Sequence, residues 1–226
     1  MSIRKFCAWP SLTLACILAL TSCSSEPPAG RPDDYLCNLP ANSTEEKLLH
    51  EVMRTKSFRT DVHNSESQFS QEMKEILQKY PDQASMHALM GCSFVPKGQP
   101  DAGQVRITFE WAARSDRSSP PPENAVRRYN LNGATGESTD TSSHLYTQCV
   151  LPGELNGKSK KIPLHAEASF TMNLGPVRDH GTQEEQISFL YLITRRATES
   201  LGCENKPLER APVATPLITR TGEDPS

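Results

Sequence analysis

Every second residue between Ile162 and Leu174 is apolar, in seven successive alternations: Ile162, Leu164, Ala166, Ala168, Phe170, Met172 and Leu174. A period of two places all of these side chains on one face of a β-strand. A second segment alternates in the same way, with Val105, Ile107, Phe109 and Trp111 as its apolar members. Each strand therefore has one face to bury, and we expect Trp111 to lie in the core rather than in a carbohydrate-binding platform.

Three segments begin with the capping box that starts a helix, in which a serine or threonine precedes a glutamate or glutamine by three positions. The pairs are Ser43 with Glu46, Ser65 with Gln68, and Thr182 with Glu185. Apolar residues follow each pair at helical spacing, as they do in amphipathic helices. The sequence therefore predicts helices over 44–56, from 65 to Pro81, and from 182 to Gly202, with 82–90 continuing helically toward Gly91.

Two further strands are predicted at 125–131 and 144–151, separated by the flexible segment 132–143 (NGATGESTDTSS). Helices followed by a run of strands and then a helix favour an α+β fold. We expect an antiparallel sheet of about four strands with helices packed on one face. Residues 207–226 contain several prolines and are predicted to form a mobile tail.

The N-terminus has the layout of a secretory signal peptide over residues 1–22. Arg4 and Lys5 supply positive charge, and the apolar run Leu12–Leu20 follows them. The alternative is a transmembrane helix, which needs about 20 consecutive apolar residues. The run from Phe6 to Leu20 is shorter than this and is interrupted by Pro10 and Ser11.

The apolar run ends in Leu20-Thr21-Ser22-Cys23, which resembles the lipobox of bacterial lipoproteins. The resemblance implies that Cys23 is acylated and becomes the new N-terminus, with membrane lipid as its partner and the extracytoplasmic face of the cell membrane as its location. The polar, proline-rich residues 23–34 would then be a tether, with the α+β domain at 35–206. The chain is also loosely similar to uncharacterised actinomycete-type lipoproteins, in its order of helices and strands between cysteines and in its closing Leu201-Gly202-Cys203. This resemblance implies no particular activity.

Removal of the signal peptide and lipidation of Cys23 leave an even set of cysteines: Cys37, Cys92, Cys149 and Cys203. In an oxidising compartment an even set favours two disulfides. Three pairings are possible, and the sequential one would close two long loops, each contributing about 4 kcal/mol. No two of the four cysteines are close in sequence, which argues against a zinc knuckle.

The sequence contains no recognisable catalytic motif or cofactor fingerprint, and His50-Glu51 lacks the second histidine of a zinc protease because Arg54 occupies that position. With 27 acidic and 24 basic side chains, the chain also lacks the basic surface of a nucleic-acid-binding protein.

The leading hypothesis is a non-enzymatic binding or structural module with no cofactor or metal, whose partner is an envelope protein or the cell wall. One alternative is an extracytoplasmic hydrolase or cell-wall enzyme, and another is a carrier that binds a small ligand on a concave sheet face. The hydrolase would gather some of four histidines with carboxylates: His63, His144, His165 and His180.

Overall fold

The structure is a computed structural model, and it describes residues 36–79, 88–98, 103–112, 126–171 and 183–217. Residues 1–22, expected to form a signal peptide, Cys23 and the expected tether up to residue 34 lie outside the described residues. The helices are α1 (Thr44–Met53), α2 (Glu66–Lys79), α3 (Asn156–Ser159) and α4 (Gln183–Leu201). The strands are β1 (Phe58–Val62), β2 (Leu89–Pro96), β3 (Gln104–Trp111), β4 (Arg127–Leu131), β5 (Ala134–Ser138), β6 (Ser142–Thr147), β7 (Leu164–Thr171) and β8 (Ala214–Pro216).

All eight strands belong to one antiparallel sheet with the order β1-β2-β3-β7-β6-β5-β4-β8. The α+β class is therefore confirmed, whereas the expected number of about four strands is wrong. The two strands with clear alternation, β3 and β7, pair along their whole length at the centre of this sheet.

The strands that the sequence did not predict are those whose composition departs from alternation. Strand β2 begins at Leu89, so the helix expected over 82–90 does not include Leu89 and Met90, and residues 82–87 of that segment lie outside the described residues. Four consecutive residues of β2, from Gly91 to Phe94, are buried, rather than every second one. Strand β5 lies within 132–143, the segment expected to be flexible, and forms a hairpin with β4 through Asn132 and Gly133. Both of these turn residues have positive φ, as a two-residue hairpin turn requires.

Described residues beyond 207, where a mobile tail was expected to begin, pack on the domain. Leu208 is buried, and β8 pairs with β4 at the edge of the sheet. The Tyr191 hydroxyl donates a hydrogen bond to the Arg210 carbonyl oxygen at 3.2 Å, and the Asn132 side-chain amide donates to that of Ala211 at 2.7 Å. Residues 218–226 lie outside the described residues.

The starts of α1 and α2 and the end of α4 follow the predicted signals, whereas Thr182 of the third predicted capping box lies outside the described residues. The Ser43 hydroxyl accepts a hydrogen bond from the Glu46 amide at 3.1 Å, which caps α1. At the start of α2 the bonds are reciprocal, because the Gln68 amide donates to the Ser65 hydroxyl and the Ser65 amide donates to the Gln68 side chain. Helix α4 ends at Gly202, whose φ of 73° is the left-handed conformation that glycine adopts readily.

Helices α1, α2 and α4 form a layer on one side of the sheet, and we call the sheet face beneath them the apolar face. Phe109 of β3 is fully buried there, with its ring 5.0 Å from that of Phe69 in α2. Trp111 is also buried, and its indole N–H donates to the Met73 carbonyl oxygen at 2.8 Å. The prediction that Trp111 belongs to the core is thus confirmed.

Helix α4 also holds α1 through a buried ion pair. The Arg196 guanidinium donates to the Glu45 carboxylate at 3.1 Å and to the Asn38 carbonyl oxygen at 2.9 Å. Arg196 is itself buried within the helix layer. Burial acts to raise the pKa of the Glu45 carboxyl, yet a backbone hydrogen bond and the charges of Arg196 and Arg195 outweigh it, so that this pKa lies below its ordinary value.

The domain contains two disulfides, and of the three possible pairings they follow the sequential one. Cys37, just before α1, bonds to Cys92 in β2 with a Cα–Cα distance of 5.9 Å. Cys149, just after β6, bonds to Cys203, just after α4, with a Cα–Cα distance of 5.1 Å. Each bond therefore joins the sheet to a segment at the end of a helix.

Candidate functional site on the polar face of the sheet

The second face of the sheet, which we call the polar face, carries the side chains that point away from the helices. Because β3, β7 and β6 pair in register, residues from neighbouring strands stand directly side by side on this face. The central members of the polar face are Arg106, Thr108 and Glu110 of β3, His165, Glu167 and Ser169 of β7, and Ser142, His144 and Tyr146 of β6.

A chain of hydrogen bonds runs across three strands of this face, and we call it the Glu110–His165–His144 chain. The Nδ1 atom of His165 lies 2.7 Å from Glu110 Oε1. The Nε2 atom of the same ring lies 3.2 Å from His144 Nδ1. His165 is buried, with 3% of its surface exposed, although it lies on the polar side of its strand.

The hydrogen-bond partners determine where the protons reside in this chain. An ionised carboxylate only accepts hydrogen bonds, so His165 Nδ1 carries a hydrogen and donates it to Glu110. In a neutral imidazole the other nitrogen is then an acceptor, and His165 Nε2 receives the hydrogen of His144 Nδ1. The hydrogen bonds are therefore oriented, from His144 Nδ1 to His165 Nε2 and from His165 Nδ1 to the Glu110 carboxylate.

The two imidazole rings face each other end to end. Their planes differ by 9° and their centroids are 5.4 Å apart, while the facing nitrogens are 3.2 Å apart. Because the ring centroids are farther apart than the facing nitrogens, these nitrogens lie between the two ring centres. They therefore point nearly at each other, as a hydrogen bond requires. Ligands of a metal ion point instead toward a common third position. In the part of the chain that the structure describes, no group of three or more histidine, cysteine, aspartate or glutamate side chains is placed to hold a metal ion.

Charged and aromatic side chains surround the chain. The Tyr146 ring stacks on His165 with centroids 4.4 Å apart. His144 stands in register between Glu137 of β5 and Glu167 of β7, and its Nδ1 lies 3.8 Å from Glu167 Oε2. Glu137 in turn pairs with Arg128 of β4 at 3.4 Å. The row that runs across β4, β5, β6 and β7 thus alternates a cation, an anion, a histidine and a second anion.

Only part of the histidine set from the sequence comes together here. His63, which follows β1, is not part of this chain; its Nε2 atom lies 3.5 Å from the hydroxyl of Ser93, which is in register with Arg106 further toward the β1 edge of the polar face. His50 contacts the Thr55 carbonyl oxygen at 2.7 Å through Nδ1, an arrangement of the α1 end rather than of a zinc helix. His180 lies outside the described residues.

The sequence interpretation did not single out Glu110, Tyr146 or Glu167. A signal for Glu110 was present, because it occupies a polar position in the alternating segment of β3. The same holds for His165 in β7. What the pattern could not provide was the register, which places these two residues directly opposite each other.

Surface grooves beside the helices are further candidates for binding. One groove of about 690 Å³ runs along α2 and is lined by polar side chains such as Ser70, Gln71 and Lys74. A smaller one of about 390 Å³ lies at the end of α4, beside Cys203 and Lys206. Neither gathers a set of hydrogen-bonded titratable groups comparable to the Glu110–His165–His144 chain.

None of the helices in the described part of the chain is both long and apolar enough to cross a membrane. Comparisons with protein-family models, curated proteins and solved structures find no match for this chain.

Proposed function

We propose that this chain is a lipoprotein held at the extracytoplasmic face of the cell membrane by acylated Cys23, and that its α+β domain is a non-enzymatic binding module. The observation that carries the proposal is the use of the cysteines. Cys37, Cys92, Cys149 and Cys203 form two disulfides, a chemistry of oxidising compartments. Cys7 and Cys16 precede the cleavage position, so Cys23 is the remaining cysteine and stands at the lipobox position.

Anchoring at Cys23 is consistent with the energetics of acyl chains in membranes. Each buried methylene contributes about 0.8 kcal/mol, so that two chains suffice for stable attachment. Loss of Arg4 and Lys5 with the signal peptide changes the side-chain charge from -3 to -3 − 2 = -5. A mildly acidic domain close to anionic lipid headgroups gains no attraction from its charge, and attachment would therefore depend on the acyl chains.

The anchor is tested by metabolic labelling with palmitate and by cell fractionation of the Cys23→Ala variant. We expect the label to be lost and the protein to leave the membrane fraction or to remain unprocessed. Cys16→Ala is the matched control, because it changes a cysteine of the apolar run and should keep both label and location. Unchanged labelling and membrane retention of Cys23→Ala would refute the anchor.

The polar face is the part of the domain that we propose binds the partner. It carries the histidine and carboxylate chemistry described above, whereas the apolar face is covered by helices. A photo-reactive amino acid at Arg106, which is exposed on β3, should cross-link a partner in intact cells. The same amino acid at Glu51, which is exposed on α1, is the control and should not. An envelope protein or a cell-wall glycan recovered specifically from position 106 would support the proposal, and equal recovery from both positions would contradict it.

A second candidate function is supported by the Glu110–His165–His144 chain itself. A carboxylate that orients a histidine, which in turn accepts a proton, is an arrangement used in general base catalysis. The candidate is an extracytoplasmic hydrolase in which His144 removes a proton from the nucleophile. Turnover of cell-wall fragments or activated esters by the purified chain, lost in His144→Gln and kept in His63→Gln, would favour this candidate over the binding module.

A further inference from the structure

We propose that the His144–His165 contact is a proton-controlled switch, which stays closed when the pair carries at most one extra proton and opens when it takes a second. It would make binding at the polar face depend on the acidity of the medium. The inference rests on the proposed function only in one respect, namely that the domain is exposed to the medium outside the cell.

The contact between the two rings can accommodate only one hydrogen between the facing nitrogens. Two ring nitrogens 3.2 Å apart form a hydrogen bond when one of them carries a hydrogen and the other has a free electron pair. The pair can be neutral or can hold one extra proton, because in both states a single hydrogen lies between the nitrogens. When both imidazoles are protonated, both facing nitrogens carry hydrogens, and the attraction becomes repulsion.

The other contacts of His165 prevent its ring from turning to relieve this repulsion. Its Nδ1 hydrogen is held by Glu110 at 2.7 Å, and Tyr146 stacks on the ring. His165 is also buried at the centre of the sheet, between β3 and β6. Rotation of this ring would break the bond to Glu110 and the stacking together, whereas rotation of His144 brings it toward carboxylates on the two neighbouring strands, so the ring that turns is His144.

The surroundings of His144 stabilise it after it turns. Glu137 and Glu167 flank it in register on the two neighbouring strands, and Glu167 is already 3.8 Å from Nδ1. A protonated His144 that leaves His165 thus meets carboxylates on either side. Other charged groups on the described part of this face are Glu110 beside His165, Arg128 paired with Glu137, Arg106 one row further along, and the Arg59–Asp61 pair at the β1 edge.

The consequence for binding is a change of both shape and charge at the centre of the polar face. In the closed state His144 is hydrogen-bonded to His165 of β7, and the partly exposed carboxylate of Glu167 lies 3.8 Å from the shared nitrogen. In the open state His144 carries a positive charge and pairs with a carboxylate. A partner that recognises one arrangement would be released, or recruited, as the medium becomes acidic.

The test is a double-mutant cycle with His144→Gln, His165→Gln and the double variant, measured by urea unfolding at pH 7.5 and pH 5.0. All four proteins are full chains that also carry Cys23→Ala, so that lipid does not interfere. In the unfolded chain both histidines take a proton near pH 6.5, whereas the closed pair takes only one. We therefore expect the two histidines to stabilise the folded state together at pH 7.5. Expressed as a factor in the folding equilibrium constant, this coupling should fall about 30-fold at pH 5.0, since one excluded proton changes that constant tenfold per pH unit below the unfolded pKa.

A coupling that is the same at both pH values would identify a static structural contact and would overturn the switch. So would a coupling that grows at pH 5.0. Addition of Zn²⁺ at pH 7.5 distinguishes a further possibility: stabilisation of the parent by the metal, absent in both single variants, would assign the pair to a metal ion and overturn the proposal.

A second measurement keeps the proposal testable if a variant does not fold. Nitrogen NMR of the histidine rings in the parent chain reports which nitrogens carry hydrogens. We expect one hydrogen between the facing nitrogens at pH 7.5 and hydrogens on both at pH 5.0, and two hydrogens already at pH 7.5 would contradict the switch. These measurements use purified protein, so they can fail while Cys23 is shown to be lipidated, or succeed while it is not.

Discussion

Phe109 and Glu110 are neighbours in β3, yet they face different environments. Phe109 lies on the apolar face, fully buried against Phe69 of α2. Glu110 lies on the polar face and accepts a hydrogen bond from His165. The apolar face is stabilised by the volume that its side chains fill, which depends little on pH, whereas the polar face depends on where a few protons reside. The stability of this domain and its response to conditions should therefore be separable by substitutions on the two faces.

The largest difference between the two faces should come from truncating the side chains of adjacent residues. We expect Phe109→Ala to lower the free energy of unfolding by about 3–5 kcal/mol, because it leaves a cavity in a packed layer. Thr108→Ala, on the polar face, should cost less than about 1 kcal/mol. Urea unfolding followed by circular dichroism gives both values. Equal costs would mean that the helix layer does not pack on β3 as described.

The cost of removing one partner of an ion pair should also differ between a buried pair and an exposed pair. We expect Glu45→Gln to cost about 3 kcal/mol at neutral pH, because it leaves the buried Arg196 without its anionic partner. The matched surface change is Asp61→Asn, which removes the exposed pair with Arg59 and should cost less than about 1 kcal/mol.

The pH dependence of the Glu45 substitution has a definite sign. The pKa of Glu45 is lower in the folded protein than in the unfolded chain. The ionised carboxylate therefore contributes stability above the unfolded pKa of about 4.3, and this contribution is lost as the pH falls through the folded pKa. The stability difference between the parent chain and Glu45→Gln should thus narrow in unfolding experiments below about pH 4, and a widening difference would contradict the direction of the shift.

A smaller effect is expected from Glu110→Gln on the polar face. Glutamine keeps an oxygen that can accept from His165 but removes the charge, and we expect a loss of about 1–3 kcal/mol at neutral pH. Thermal unfolding and urea unfolding should agree on this value. A loss below the error of measurement would show that His165 does not depend on the carboxylate.

The smallest effect should come from Glu167→Gln. The Glu167 side chain is 39% exposed and lies 3.8 Å from His144 Nδ1, so the interaction is screened by water. We expect less than about 1 kcal/mol at neutral pH by urea unfolding. A cost as large as that of Glu110→Gln would place the structural role of the polar face at His144 rather than at His165.

The parts of the fold that could be predicted are those in which local sequence and tertiary packing agree. The alternation of β3 and β7 survives in the structure because each strand has one face under helices. The capping boxes of α1 and α2 also survive, because the hydrogen bonds they predict are formed within a few residues.

Other elements depend on partners that are far away in sequence. Strand β8 is only three residues long and exists through its pairing with β4. Strand β2 has apolar residues on both faces around Cys92, so that it could not be distinguished from a buried helix by periodicity alone. The candidate site depended on long-range pairing to the same extent, because Glu110 and His165 are 55 positions apart and meet only through the β3–β7 register.

The Cys37–Cys92 disulfide has a mechanical consequence when Cys23 is held in the membrane. Only 14 positions separate Cys23 from Cys37, so that a pull on the domain enters the described structure at this cysteine. The covalent bond passes the force directly to β2, which is hydrogen-bonded to β1 and β3 on its two sides. Helix α1, β1 and α2 lie within the loop that the disulfide closes and carry no tension. Shear at the cell surface would then load the sheet while the elements nearest to the tether remain folded.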